Sequence, residues 1–382
     1  MISGMRTVLL LSLVLGAFVF VCAVLPLRCS RWLKVLLAGL ILLAALCFKV
    51  LELLGGGRIF APDLPAWFVL GLSWLFLVLG VFAVLLLVFG VLRLVLWLLV
   101  PRWRRLEALV RCRWVCRVHA GGLLLAAVIC SVGMYEALRL PEVRVVPLQL
   151  PVRAPLRVAL LSDLHVDAVK GEDFVRALVE RTNELGADVV LVAGDLVDGE
   201  LAKRGEALRP LAGLRARLGV FVVLGNHDYF SGAEEWTPFL RSLGLQVLCN
   251  EWVLPEGAPA VLAGVADPSA RLFGLEGPDV AKALRGAPPG LPVLLLAHQP
   301  QVGLRARECG VALQVSGHTH GGQLPGLAEV TARFNCGWVS GLYETQGMLL
   351  YVSNGSSLWT GMPLRLGVPS EITLFEISPL SR

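Results

Sequence analysis

The chain has 382 residues, 56% hydrophobic and only 16% charged, with a mean hydropathy of +0.72. Soluble domains carry about 25% charged residues, so neither a disordered chain nor a wholly soluble enzyme fits. The net charge of +5 averages two unlike halves: residues 1–135 hold 13 basic and 3 acidic residues, and residues 136–382 hold 21 and 26, so no basic nucleic-acid-binding surface is expected.

Four apolar stretches fill the first half. Uncharged runs of 21, 14, 29 and 18 residues lie between Arg6 and Arg28, Lys34 and Lys49, Asp63 and Arg93, and Arg117 and Glu136. A bilayer core needs roughly 20 helical residues. The first and fourth runs fit directly. The second fits if Lys34 and Lys49 snorkel, bringing Val50–Leu54 into the span, and the third is long enough to tilt or project past the lipid. Arg28, Arg31 and Lys34 follow the first run; Arg102, Arg104, Arg105, Arg111, Arg113 and Arg117 follow the third. Four single passes put both basic clusters on one side, which the positive-inside rule makes cytoplasmic. A cleaved signal peptide in the first run, or a doubled third run, would place one cluster outside. Residues 1–139 are therefore expected to form a four-span domain of a cell (inner) membrane, with the N-terminus and the globular half extracytoplasmic; Arg6 alone weighs against this.

The basic loop Pro101–Ala120 mixes Arg with Trp and Leu. It reads first as a topology determinant and second as a surface-lying helix contacting lipid. Lys49 and Glu52, spaced i,i+3, are expected to pair. Nine cysteines form no evident scaffold, and Cys112 and Cys116 with His119 are too few ligands for a closed zinc site.

Residues 140–156 read as a Pro-rich linker with a lead-in edge strand, and residues 157–378 as a globular domain. Short Val- and Leu-rich runs alternate there with amphipathic segments, the pattern of an α/β layer architecture. Strands are expected at Arg157–Ser162, Val189–Ala193, Val220–Leu224, Val261–Val265, Val293–Ala297, Leu313–Ser316, Leu349–Ser353 and Glu371–Ile377. Helices are expected at Asp173–Leu185, Glu206–Leu218, Glu234–Leu243 and Pro278–Leu284.

Chemistry-bearing motifs follow five of these strands. They are Asp163-Leu164-His165, Gly194-Asp195-Leu196-Val197-Asp198, Gly225-Asn226-His227-Asp228, His298, and Gly317-His318-Thr319-His320. Five of the six histidines fall in these motifs, and strand carboxyl ends are where an α/β sheet places its site. Extended backbone points i and i+2 the same way, so Asp163 with His165, and His318 with His320, can each present a pair to one pocket. Carboxylates mixed with imidazoles suit Mn, Fe, Zn or Ni more than Ca or Mg. The set exceeds what one tetrahedral ion takes, and two ions sharing a carboxylate would use it all. Gly194, Gly225, Gly317 and Gly321 read as close-approach or positive-φ positions, Asp228 as a structural acceptor at its turn, and Asp267 as a pocket-lining group or a loop cap.

The combined pattern D-x-H, G-D-x-x-D, G-N-H-D, a lone H and G-H-x-H resembles the calcineurin-like metallophosphoesterase family over roughly residues 145–378. GHTHGGQ, YVSNG and PLRLGVPSEITLF look like its membrane-anchored branch, the transmembrane proteins with a metallophosphoesterase domain. The resemblance implies a two-sheet β-sandwich flanked by helices. It implies that Asp163, His165 and His320 bind one metal, that Asp195 bridges to a second, and that Asn226, His298 and His318 complete the second. His227 would be the catalytic imidazole, oriented by Asp198. Such a dinuclear centre would hydrolyse a phosphomonoester, phosphodiester or pyrophosphate by in-line attack of a metal-bridging hydroxide. Membrane spans near the pocket favour an amphiphilic, phosphorylated substrate. The alternatives are a pyrophosphatase of a UDP-diacylglucosamine-type lipid A precursor, whose cytoplasmic substrate conflicts with the expected topology, and a non-catalytic ligand-binding receptor or transporter component. The sequence leaves oligomeric state, native metals and natural substrate open.

Overall fold

The computed structural model describes residues 2–56, 61–99 and 113–380. Contacts divide the chain into two units: residues 1–135 with Thr360–Leu364, and residues 136–359 with 365–382.

In the first unit, helix Ile2–Val19 runs into a short π-helix, Phe20–Val24. Among the described residues, three helical stretches are long and apolar enough to cross a membrane: Arg6–Val24, Ala66–Leu99 and Val115–Leu138. Ala66–Leu99 spans 34 residues, about 50 Å at the helical rise and well beyond a 30 Å hydrocarbon core. The second apolar run is not one straight helix. Arg31–Ala45 and Cys47–Leu54 meet at 68°, so the pair is a fourth span only if the break lies within it. Neither proline nor glycine causes the break; Leu46 takes φ −90°, ψ 7° while its N–H still bonds Leu42 O. Lys34 Nζ donates to Leu25 O at 2.7 Å, and Lys49 pairs with Glu52 at 2.7 Å, as its spacing predicts. Of the basic loop, residues 101–112 lie outside the described residues. From Arg113 the chain is already part of helix Arg113–Leu138, so no separate surface helix occupies 113–120.

Among its described residues the second unit holds twelve strands: β1 Glu142–Leu150, β2 Leu156–Leu161, β3 Val189–Ala193, β4 Val220–Val223, β5 Gln246–Val247, β6 Glu251–Val253, β7 Val261–Gly264, β8 Val293–Leu296, β9 Leu313–Ser316, β10 Gly341–Thr345, β11 Met348–Val352 and β12 Glu371–Pro379. They form two mixed six-stranded sheets, ordered β1-β12-β2-β3-β4-β5 and β10-β11-β9-β8-β7-β6. β2, β3 and β4 are mutually parallel, as are β7, β8, β9 and β11, so their carboxyl ends gather together. The linker's strand is nine residues long and pairs in parallel with β12 along its whole length, at the sheet edge.

Side-chain alternation explains the layering. In β3, Val189, Leu191 and Ala193 enter a core shared by both sheets, with Phe221 and Val223 on one side and Leu262, Leu294, Leu296 and Val315 on the other. Val190 and Val192 face the opposite way, into a core covered by helices Glu172–Asn183, Leu201–Leu208 and Asn226–Ser242. A third core backs the second sheet around Trp338 and Leu350. Strands buried on both faces read as unbroken apolar runs.

Three expected helices differ from the structure. The one placed at Glu206–Leu218 is Leu201–Leu208, followed by a 3₁₀ turn at Arg209–Gly213, because Pro210 has no N–H to continue the α ladder. The one placed at Glu234–Leu243 starts eight residues earlier at Asn226, with a kink at Gly232 (φ 109°). The one placed at Pro278–Leu284 shrinks to Val280–Ala283.

Candidate metal centre

The turns leaving β2 and β3 continue the strand pairing beyond the sheet. Asp163 N bonds Gly194 O, His165 N bonds Asp195 O, and Asp198 N bonds Val166 O, at 2.9–3.0 Å. The motif residues are therefore not extended: Asp163, His165, Asp195, His318 and His320 all have positive φ, between 46° and 72°. This corrects the expectation that strand alternation pairs i with i+2. Tight left-handed turns aim these side chains instead, a conformation that Asp and His tolerate better than branched residues. Two glycines make the packing possible. A Cβ at Gly317 would overlap Ser162 Oγ and Asp163 Oδ2, and one at Gly225 would overlap Asp195 Oδ1.

Three neighbouring groups of ligand atoms result, each within 4.8 Å: Asp163, His165 and His320; His165, Asp195 and His227; and Asp195, His298 and His318. The two members of the second histidine pair thus enter different groups. His165 Nε2 stands 3.2 Å from His320 Nε2, and His298 Nε2 stands 3.2 Å from Asp195 Oδ2 and 3.1 Å from Asn226 Oδ1. Asp163 accepts from Ser162 Oγ and from His318 N; Asp195 Oδ1 accepts from His227 N at 2.8 Å.

Asp198 joins two rings, meeting His227 Nδ1 at 2.5 Å through Oδ1 and His165 Nδ1 at 3.0 Å through Oδ2. Asp228 lies behind the centre, where its carboxylate accepts from the amides of Leu196, Val197 and Gly225. Asp267 acts as a loop cap, accepting from Ser269 N at 2.8 Å and from Gln299 Nε2 at 3.2 Å.

Burial opposes charge on every group here, and the outcome depends on neighbours. For Asp195, His298 and His227 outweigh burial and hold the carboxyl well below its usual range. Asp198 is lowered against burial by His227 and His165. Burial raises Asp163. His227 is brought up to about 9 because Asp198 and Asp195 overcome its burial. Burial and then His298 push His318 down to about 3, and burial and then His165 hold His320 well below the usual imidazole value.

These residues fit divalent cations. Neutral His318 and His320 offer ring lone pairs, and His320 Nδ1 is buried with no protein partner. Two ring nitrogens facing each other at 3.2 Å beside a buried carboxylate form a donor set that an ion satisfies better than one shared proton. Asp195 groups with His298 and His318 and also with His165, which in turn groups with Asp163 and His320. Sequence reasoning missed two buried cations around this centre. Arg365 donates to the carbonyls of His320, Asn354, Ser357 and Val368. Lys170 donates to Ala137 O, Ser357 Oγ and Leu358 O. Arg365 stands in the segment PLRLGVPSEITLF, but neither it nor Lys170 carries a local pattern that marks a cation as buried.

Residues 156–322 match the calcineurin-like phosphoesterase family. An uncharacterized metallophosphoesterase of Helicobacter pylori (strain J99) is 38% identical over 250 residues, 65% of this chain and 66% of that protein. A transmembrane protein with metallophosphoesterase domain from Danio rerio is 35% identical over 66% of this chain and 60% of its own length. An uncharacterized metallophosphoesterase of Aquifex aeolicus is 32% identical over 60% of this chain and 87% of its own length. The chain spans just under two thirds of the Helicobacter protein and less of the Danio one. With the ligand-bearing turns falling inside the family match and most of one relative covered end to end, this chain belongs to the calcineurin-like metallophosphoesterase family.

Proposed function

We propose that the chain is a membrane-anchored dimetal phosphoesterase. The observation that supports this reading is the position of Asp195, which groups with His298 and His318 on one side and on the other with His165, itself a member of the Asp163–His165–His320 group. Asp163, His165 and His320 would hold one divalent cation (Mn, Fe, Zn or Ni), and Asn226, His298 and His318 a second, with Asp195 between them. Such a pair, when bound, supplies an acidified water and neutralises phosphoryl oxygens. The protein's own contribution is orientation and proton supply. Asp198 fixes His227 through Nδ1, so Nε2 is the edge turned toward substrate. An imidazole lifted to about 9 carries the proton that the leaving oxygen needs at neutral pH.

Four spans follow from parity. If the bent pair Arg31–Leu54 were re-entrant, Ala66–Leu99 would carry the second basic cluster to the side opposite the first, against the positive-inside rule. Counting the pair as one broken span puts both clusters in the cytoplasm and the globular domain outside it. A pocket tethered to lipid in this way suits a phosphorylated amphiphile.

Purified full-length protein with Mn²⁺ is expected to hydrolyse p-nitrophenyl phosphate or its bis ester. Asp195→Asn should lose bound metal and turnover together, whereas His227→Ala should keep metal and lose turnover. Less than about one metal per chain, with His227→Ala as active as wild type, would refute the reading. Cys249 and Cys336 are exposed, so an impermeant thiol reagent should label them in intact cells; labelling only after lysis would overturn the topology.

A further inference from the structure

A group leaving phosphorus at His227 must lie along the side of that imidazole turned away from Asp198, and two aromatic rings lie within 6.3 Å of the imidazole. Tyr229 and Phe230 follow His227 on the first turns of helix Asn226–Ser242. The 3₁₀ turn Pro268–Phe273, capped by Asp267, brings Phe273 to meet them. The Phe230 centroid lies 5.9 Å from His227 and 6.0 Å from Phe273, and Phe273 lies 6.4 Å from Tyr229 at an interplanar angle of 24°. Trp359, on the loop after β11, meets the His227 ring at 6.3 Å. All four separations fall within the range of favourable ring contact.

The surface these rings begin remains open. Phe273 is 49% exposed, and Leu272 and Leu275, close to it in sequence, are 75% and 40% exposed. Arg271, the cation of this turn, is folded over Gly277, where a Cβ would overlap its Nε. Apolar side chains left uncovered close to rings that reach His227 offer a place for an apolar substituent. Its aliphatic members suit a flexible hydrocarbon chain. A flat nucleobase would instead need polar partners for its edge, and Leu272, Phe273 and Leu275 have none to offer.

We propose that Phe230, Leu272, Phe273 and Leu275, with Trp359, receive a hydrocarbon chain attached to the leaving oxygen, making the preferred substrate a phosphoester of a long-chain alcohol or lipid. This rests on the phosphoesterase reading. The chain leaves with its oxygen, protonated by His227, and phosphate takes up the oxygen of water, so atoms and charge balance without a further reactant.

The test compares ethyl phosphate with decyl phosphate, and their methyl diesters, using full-length protein in nanodiscs of one composition with Mn²⁺. Partitioning into lipid is common to all variants, so the deciding quantity is the change in the decyl-to-ethyl ratio of kcat/KM. Leu272→Ser with Phe273→Ser should lower that ratio about 10-fold, the worth of roughly two methylene contacts, chiefly through KM for the decyl ester. Leu272→Ser with Leu275→Ser leaves the Tyr229–Phe273 stack in place and should lower it in the same direction. An unchanged ratio in both double variants overturns the chain-binding surface while leaving the phosphoesterase reading intact. No turnover of any ester by wild type overturns both.

Discussion

Asp198 is buried between two imidazoles, and replacing it with asparagine tests how the centre is oriented. The carboxylate accepts from His227 Nδ1 at 2.5 Å and from His165 Nδ1 at 3.0 Å. Asparagine keeps one acceptor and turns an amide donor toward the other ring. With the amide facing His165, that ring must carry its proton on Nε2, the nitrogen 3.2 Å from His320 Nε2. A ligand lone pair is then lost, and losses of this kind cost about 10–100-fold in metal affinity. With the amide facing His227, the imidazole loses the carboxylate that keeps it protonated, and general acid catalysis is worth about 10²–10⁴-fold. Either orientation also removes a charge-assisted bond worth about 1.5–3 kcal/mol. Asp198→Asn should therefore lower kcat/KM on bis(p-nitrophenyl) phosphate by at least about 10-fold at sub-saturating Mn²⁺. Adding His227→Ala to it should cost little more, because the two residues act on one proton path. Wild-type turnover in the single variant would refute the orientation argument, and a fully additive double variant would refute the shared path.

Gly317→Ala should cut metal content measured by elemental analysis, since its Cβ has no space beside Ser162 and Asp163; wild-type stoichiometry would show that the turn can yield. Lys170→Met should lower the melting temperature of the catalytic domain at pH 7, because Ala137 O, Ser357 Oγ and Leu358 O lose a buried donor at about 1–3 kcal/mol for each acceptor left unsatisfied. Burial, opposed by Asp167 and reinforced by Arg365, brings Lys170 itself down to about 7. The folded state then binds fewer protons than the unfolded one between pH 7 and the ordinary lysine value, so wild type should gain stability relative to Lys170→Met as pH rises through that window. A flat difference would refute it. Removing divalent metal with a chelator should lower the domain's melting temperature by about 5 °C or more if the sites are held at 100 times Kd; an unmoved transition would contradict cation binding at this centre.

The doubly buried strands were legible because Val189–Ala193 is apolar throughout and Leu313–Ser316 sets Leu and Val at alternate positions, each ending at turn residues, and both appear with the expected bounds. β5, β6 and β10 were not: at two to five residues, half exposed and pairing at sheet edges, they carry no periodic signal of their own. The motifs pointed to residues that do converge, yet the reason given was wrong, because alternation along a strand says nothing about the left-handed turn that follows it. Asp198 was seen as a partner of His227 alone. Its second bond, to His165, depends on β2 and β3 being neighbours and on the pairing of Val166 with Val197, which no single motif encodes. Arg365 and Lys170 escaped notice for a similar reason, since their partners are mostly backbone carbonyls, which have no sequence signature.

Five of the seven candidate ligands have positive φ without being glycine. At about 1–2 kcal/mol each, that strain is comparable to the whole net stability of a domain, about 5–15 kcal/mol. Apolar packing cannot hold such turns, because the side chains at stake are polar. Hydrogen bonds hold them instead. The turns after β2 and β3 bond each other, Asp228 takes three amides of the neighbouring loops, and Arg365 takes four carbonyls, including that of His320. Gly225 and Gly317 leave no Cβ to push these loops apart. Every one of these supports is made within the protein, so the fold itself holds the candidate ligand atoms in place. The cost of arranging them is met during folding, and a cation binding there would have little ordering left to oppose it.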